Sequence, residues 1–223
     1  MIGKENIYVS EALVSTDFDI QTVMVEGFGG EQRKAYIFEG IFTECNTTNQ
    51  NKRIYPEEIL RREHDRLNGL IGENGGLLME LDHPVIVAET KSDIMRASKV
   101  LLDRACGIIR QNFSWEGDKV KAKVEILDDE PLGGKLLSLA KRGWKPGVSS
   151  RAIGGAAKFD PVKGAQEVPN DIKFITYDFV ENPSVHNARL KQIISEEIQY
   201  YKSQQINNKK FWQVLADIGK KHL

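Results

Sequence analysis

The sequence predicts an α+β fold: a mainly antiparallel sheet with helices packed around it. Three observations carry that expectation. Residues 119–126 alternate almost strictly after a Glu116-Gly117-Asp118 turn, with Val120, Ala122, Val124 and Ile126 facing in and Lys119, Lys121, Lys123 and Glu125 facing out. That is the pattern of a half-buried hairpin strand, which favours antiparallel pairing. Residues 34–43 read as a strand apolar on both faces, Tyr36, Phe38 and Phe42 on one and Ile37 and Ile41 on the other. Such a strand is central, lying between a barrel interior and packed helices. Two further segments begin at Pro56 and Pro131 and continue with helical spacing of apolar residues.

The elements follow in order. Residues 1–33 are weakly patterned and Gly27-Phe28-Gly29-Gly30 marks a break. After the strand at 34–43 comes a polar loop over 46–53. A helix then starts at Ile54-Tyr55-Pro56, with Glu57 and Glu58 complementing its positive end and Ile59, Leu60 and Leu67 on its apolar side. Glycines at 72–76 break the chain. Residues 77–83 read as a strand that ends at His83, which Pro84 holds in extended geometry. Residues 85–93 read as a loop, 100–102 as a strand and 105–115 as another. Asp129-Glu130-Pro131 opens a helix with a candidate cap, lined by Leu132, Leu136, Leu139 and Ala140 and ended by Gly143.

The chain next turns through Trp144-Lys145-Pro146-Gly147 into Val148-Ser149-Ser150-Arg151, a polar strand start. Residues 158–170 read as a loop. In a strand over 171–180, Asp178 shares a face with Ile172, Phe174, Thr176 and Val180. Asn182-Pro183 caps a helix reaching about Tyr201, residues 202–210 read as a linker, and 211–218 as a short amphipathic helix. The expected organisation is one domain over residues 1–202, with a linker and appended helix over 203–223.

Composition excludes several classes. With 31 basic and 32 acidic residues the net charge is −1, so nothing draws the chain as a whole to nucleic acid or membrane. No apolar run approaches the ~20 residues that span a bilayer, and the N-terminus lacks a signal-peptide pattern. Cys45 and Cys106 have no metal spacing and point to a reducing compartment, although two cysteines also suffice for one disulfide. The expected setting is soluble and cytoplasmic.

Acyl transfer needs a hydroxyl, a base, a group that orients the base, and donors for the oxyanion. The chain offers Ser149 or Ser150 as hydroxyl, His83 as base and Asp178 as orienting acid. Backbone N–H groups from Ser149 to Gly154 are candidate oxyanion donors. On spacing alone ordinary roles compete: a solvated serine pair, a strand-end histidine, and an acid that bonds a loop amide or a lysine. A metal is the rival chemistry, from Glu80, Asp82, His83 and His64. On a strand Glu80 and Asp82 take one face and His83 the other, and no His-Glu-x-x-His pattern is present, so no metal or cofactor is expected. His186 reads as a helix-start residue and His222 as a tail residue.

Four ordered motifs are similar to one family. They are Glu39-Gly40-Ile41-Phe42, Asn51-Lys52-Arg53-Ile54-Tyr55-Pro56, Glu80-Leu81-Asp82-His83-Pro84, and Gly143-Trp144 through Pro146-Gly147-Val148-Ser149-Ser150-Arg151. A weaker fifth is Asp178-x-Val180 followed by Pro183-Ser184. Together they resemble the prohead core (capsid maturation) serine proteases of T-even-like tailed bacteriophages, over about residues 34–186. Met79 departs from the pattern, where relatives often carry glycine.

The resemblance implies a closed, mainly antiparallel β-barrel surrounded by helices, shared with the herpesvirus assemblins. It implies a serine endopeptidase with Ser149 as nucleophile, His83 as base and Asp178 as third member, with His186 as the fallback. Ser150, Arg151 and Arg53 are the expected oxyanion or substrate-binding residues, Lys52 a further candidate for reading a substrate glutamate. Implied substrates are phage scaffold or core proteins and the major capsid protein, cut after glutamate in short Leu/Ile-x-Glu motifs. The implied location is inside the prohead, in the cytoplasm of the infected host, and self-association is left open. Ile194-Ser195-Glu196 suggests self-cleavage that removes the C-terminal helix. The competing class is an inactive core or scaffold protein that keeps the protease fold.

Overall fold

The computed structural model describes residues 7–13, 19–26, 32–49, 51–85, 90–181 and 192–194. The first half runs β1 (Ile7–Leu13), β2 (Asp19–Glu26), β3 (Gln32–Glu44), β4 (Arg53–Ile54), α1 (Glu57–Asn74), β5 (Leu77–Glu80) and α2 (Lys91–Ala97). A short 3-10 turn over Leu102–Arg104 leads to β6 (Ala105–Ile109), β7 (Ser114–Glu116), β8 (Lys119–Ile126) and α3 (Pro131–Lys141). β9 (Gly147–Gly154), β10 (Lys158–Asp160), β11 (Ala165–Glu167), β12 (Lys173–Val180) and β13 (Gln192–Ile194) complete the described chain.

These strands form three sheets among the described residues. The largest has the order β13-β2-β3-β8-β6-β5, with β7 also paired to β8. The second is β1-β9-β12, antiparallel throughout, and the third is the small β10-β11-β4 sheet. No sheet closes on itself, so the expected closed barrel is corrected to an α+β fold of separate, mainly antiparallel sheets. The reason is visible where closure would occur. The β5–β6 ladder stops at Glu80, and Leu81 makes a single bridge to Phe179 of β12. Asp82 then adopts a left-handed φ of 64°, which turns the chain away before a ladder can propagate between the two sheets.

The expected hairpin is present, β7 pairing with β8 in register Trp115↔Val120. Val120, Ala122, Val124 and Ile126 are buried as the alternation requires. Glu125 departs from it: the residue is buried, and both Arg33 and Arg110 bond its carboxylate. Burial pushes this carboxyl up, and the two arginines outweigh that and hold it below the usual range. β3 is an interior strand, as its two apolar faces suggest, with Phe38 and Phe42 in the core.

Pro56 caps α1 instead of starting it, and Pro131 is at the start of α3 as expected. α2 forms where the sequence pattern shows a loop, and residues 100–102 lead into the 3-10 turn in place of the expected strand. The expected loop over 158–170 contains the β10–β11 hairpin. Residues 192–194 form a strand parallel to β2, where a helix was expected. The remainder of that helix, the linker, the terminal helix, the domain boundary at 202/203 and Glu196 lie outside the described residues, as do the glycine break at 27–30, His186 and His222.

An aromatic core locks the sheets to α1. Phe42 and Phe113 meet Tyr177 edge-on or tilted, with ring centroids 5.1 and 5.6 Å from it. His64 belongs to this core. It is fully buried, its Nδ1–H donates to the Leu60 carbonyl at 2.7 Å, and its Nε2 accepts from the Tyr177 hydroxyl at 2.9 Å. That removes His64 from any metal site, and no group of side chains among the described residues is arranged to hold a metal.

Candidate active site

The site is built on the register of β9 and β12. β9 is the middle strand of its sheet, so its residues are covered from both sides. Ser149 pairs directly with Asp178, and directly opposed residues project to the same face of the sheet. Ser150 pairs with Tyr177 and therefore projects to the other face. The alternation of a strand thus separates the two serines.

His83 reaches this face from the end of β5. The Asp82 N–H donates to the Phe179 carbonyl at 2.7 Å, which pins the turn to β12 one residue from Asp178. Pro84 keeps the preceding histidine extended. The His83 Nδ1–H then donates to Asp178 Oδ2 at 2.7 Å. With that proton fixed, Nε2 is left as the acceptor, and the Ser149 hydroxyl donates to it. The line Ser149–His83–Asp178 is therefore continuous, with Ser149 and Asp178 buried and the His83 side chain 19% exposed. A hydroxyl bonded to an imidazole that a carboxylate orients can surrender its proton while attacking an electrophile.

Arg151 has a different place from the one expected. Two residues beyond Ser149 on β9, it shares the same face and is wholly buried. Its Nε donates to Asp178 Oδ2 at 2.9 Å, its Nη2 to Asp178 Oδ1 at 2.6 Å, and its Nη1 to the Lys99 carbonyl at 2.8 Å. An arginine so engaged orients Asp178 and is not free to read a substrate side chain. Arg53 is half-buried on β4, which belongs to the small β10-β11-β4 sheet and not to the sheet of β9 and β12. The proposed oxyanion donors, the N–H groups of 149–154, lie on a strand paired with both β1 and β12.

Glu80 belongs to the Glu80-Leu81-Asp82-His83-Pro84 motif, and the sequence offers no role for it beyond that of a rival metal ligand. Glu80 is buried, receives Arg96 Nη2 at 2.5 Å and the Leu101 N–H at 2.7 Å, and lies 3.5 Å from Arg151 Nη2. Its own N–H donates to Asp178 Oδ1 at 3.3 Å. Two buried acids and Arg151, closed by the half-buried Arg96, thus form one network beneath the histidine. Arg96 comes from α2, whose start was legible as Thr90-Lys91-Ser92-Asp93, a capping box with both reciprocal bonds made. Cys106 lies nearby; burial and then the charges of Asp178, Glu80 and Asp82 push its thiol up.

The family model for prohead core protein serine protease matches residues 19–199, which include all of these side chains. The chain belongs to the prohead core protein serine protease family. It is 30% identical over 171 residues to the prohead core protein protease of Enterobacteria phage T4, spanning 74% of each chain. It also matches the solved structure of the bacteriophage T4 capsid assembly protease, with 25% identity and a TM-score of 0.62, covering 80% of this chain and 99% of that one. Membership makes the chain a peptidase of phage head maturation. Among the described residues no helix is long and apolar enough to cross a membrane.

Proposed function

We propose that the chain is a serine endopeptidase in which Ser149 is the nucleophile, His83 the general base and Asp178 the residue that orients it. The observation that carries this reading is the unbroken hydrogen-bonded line from Ser149 Oγ through both nitrogens of His83 to Asp178. As Oγ attacks a peptide carbonyl, His83 Nε2 takes its proton. Asp178 keeps the tautomer and stabilises the imidazolium, staying ionised itself. Its carboxylate accepts four hydrogen bonds, from His83, Arg151 and the Glu80 N–H, which fix its position beneath the imidazole. His83 then protonates the leaving amine, and water releases the acyl group from Ser149.

The substrates are scaffold or core proteins and the capsid protein of the prohead, inside the infected cell; the relatives named above are described as a prohead core protein protease and a capsid assembly protease. Cleavage follows glutamate, and the chain processes itself near Glu196. These finer features rest on the motifs shared with the family. Because Arg151 is committed to Asp178, the cation that reads a substrate glutamate is another residue.

The test is incubation of a glutamate-containing scaffold precursor with wild type and with His83→Ala, followed by N-terminal sequencing of the products. Wild type should release fragments whose new N-termini follow glutamate, and the variant none. No cleavage by wild type returns the chain to a structural role. Cleavage that persists in His83→Ala removes His83 as the base.

A further inference from the structure

We propose that Glu80, held in place by Arg96, is a positioning residue for peptide cleavage. Its carboxylate offsets the charge of Arg151, so that Arg151 orients Asp178 without opposing the positive charge that arrives on His83. The inference rests on the serine-protease reading above and extends the site one layer beneath Asp178.

Glu80 meets Asp178 by two routes. Its backbone N–H donates to Asp178 Oδ1 at 3.3 Å. Its Oε1 lies 3.5 Å from Arg151 Nη2, the same nitrogen that donates to Asp178 Oδ1 at 2.6 Å. One nitrogen of Arg151 thus stands between the two carboxylates. Arg96 closes the arrangement from α2. Its Nη1 donates to Glu80 Oε1 at 3.2 Å and its Nη2 to Oε2 at 2.5 Å. Arg96 Nη1 also donates to the Lys99 carbonyl at 3.0 Å, and Arg151 Nη1 donates to that same carbonyl at 2.8 Å. The two arginines therefore share two acceptors, so a shift of one disturbs the other. The Leu101 N–H adds a further donor to Glu80 Oε1 at 2.7 Å.

Charge explains why an acid stands there. Arg151 is wholly buried, so water screens its charge little. When His83 takes the Ser149 proton, a second positive charge arrives beside Asp178. Without Glu80, Asp178 alone faces both cations. Glu80 gives the buried arginine a second carboxylate and leaves more of the Asp178 charge to the imidazolium. Arg96, with its side chain 25% exposed, is the outer and better hydrated cation that keeps Glu80 in place. The imidazolium exists only once proton transfer has begun. Glu80 therefore acts on the reacting state more than on substrate binding.

The experiment compares full-length wild type with Glu80→Gln, Glu80→Asp and Arg96→Met on one glutamate-containing peptide, with kcat referred to the folded fraction. Glu80→Gln keeps the shape and loses the charge. Its kcat should fall by about 10- to 100-fold, the scale on which loss of an outer partner weakens a site, while KM changes by less than about 3-fold. Glu80→Asp restores the charge one methylene short and should recover at least about 3-fold in kcat, whichever of the two is the more stable. Arg96 is part-exposed, so Arg96→Met tests the same line even if loss of the buried acid prevents folding. Its kcat should also fall, with KM unchanged. The double variant Glu80→Gln/Arg96→Met should fall no further than the worse single one, because both act through Arg151. Wild-type kcat in folded Glu80→Gln or in Arg96→Met overturns the proposal, as does Glu80→Asp no faster than Glu80→Gln. With cleavage abolished in Ser149→Ala, those results count against Glu80 alone. Cleavage that survives Ser149→Ala overturns the serine-protease reading, and the role of Glu80 with it.

Discussion

Arg151 grips both oxygens of Asp178, at 2.9 and 2.6 Å, and neither side chain is exposed to solvent. The pair crosses from β9 to β12 and fixes the carboxylate that His83 depends on. Removing one partner of a buried ion pair leaves an uncompensated charge, so Arg151→Ala should lose about 3–5 kcal/mol of stability. Arg151→Lys keeps the charge but not the two-pronged geometry, and should recover part of the stability while lowering kcat more than it changes KM. Urea denaturation and steady-state kinetics on a peptide substrate check both. Unchanged kcat in Arg151→Lys would show that Asp178 needs no such clamp.

His64 gives the fold a pH dependence of known sign. Burial holds its pKa down at about 4, against 6.5 for an exposed histidine, and the Leu60 carbonyl and nearby Glu63 and Asp65 only partly offset that. Between those values the unfolded chain binds a proton that the folded chain does not. Stability is therefore full above pH 6.5 and falls as pH drops toward about 4, by roughly 3 kcal/mol from this group. Glu63 and Glu125, held below 4.5, begin to lose their contributions as pH falls past 4.5 and add to the loss at the acid end of this range. Denaturant titrations from pH 7 to 4 should show this slope in wild type and a flatter one in His64→Gln. Parallel slopes would contradict the assignment.

Two adjacent glycines in α3 should respond oppositely to alanine. Helical Gly→Ala ordinarily stabilises by about 0.5–1 kcal/mol. At Gly133 an added Cβ would sit 1.8 Å from the Leu127 carbonyl oxygen and 3.1 Å from that of Cys106. Backbone must move, so Gly133→Ala should destabilise by about 1–3 kcal/mol or more. Gly134→Ala meets only the Asp128 carbonyl oxygen at 3.2 Å and should stay within about 1 kcal/mol of wild type. Thermal or denaturant unfolding of the two variants decides it.

The legible parts of the fold were those set by local pattern: the β7–β8 hairpin, the starts of α1 and α3, and the polar strand carrying Ser149. The ordered motifs pointed to His83 as its partner and less directly to Asp178, with His186 as the fallback; hydrogen bonds join Ser149, His83 and Asp178. What escaped was set by distant partners. Alternation put Glu125 outside, but Arg33 and Arg110 converge on it from elsewhere in the chain. β10 and β11 are short and mostly exposed, and are ordered by parallel pairing of β11 with β4 more than a hundred residues away. Arg151 looked like a substrate reader because its partner, Asp178, is visible only through the β9–β12 register. Barrel closure turned on one left-handed residue, Asp82, which no periodicity announces. α2 is announced locally, by the capping box of Thr90 and Asp93.

The central claim separates two neighbouring serines on opposite faces of one strand. The most direct measurement is kcat/KM of full-length Ser149→Ala and Ser150→Ala on one glutamate-containing peptide. Ser149→Ala should fall by about 10⁴-fold or more, the loss expected when the nucleophile of such a site is removed, while Ser150→Ala stays within about 10-fold of wild type. Loss of activity in Ser150→Ala with Ser149→Ala still active would contradict the account.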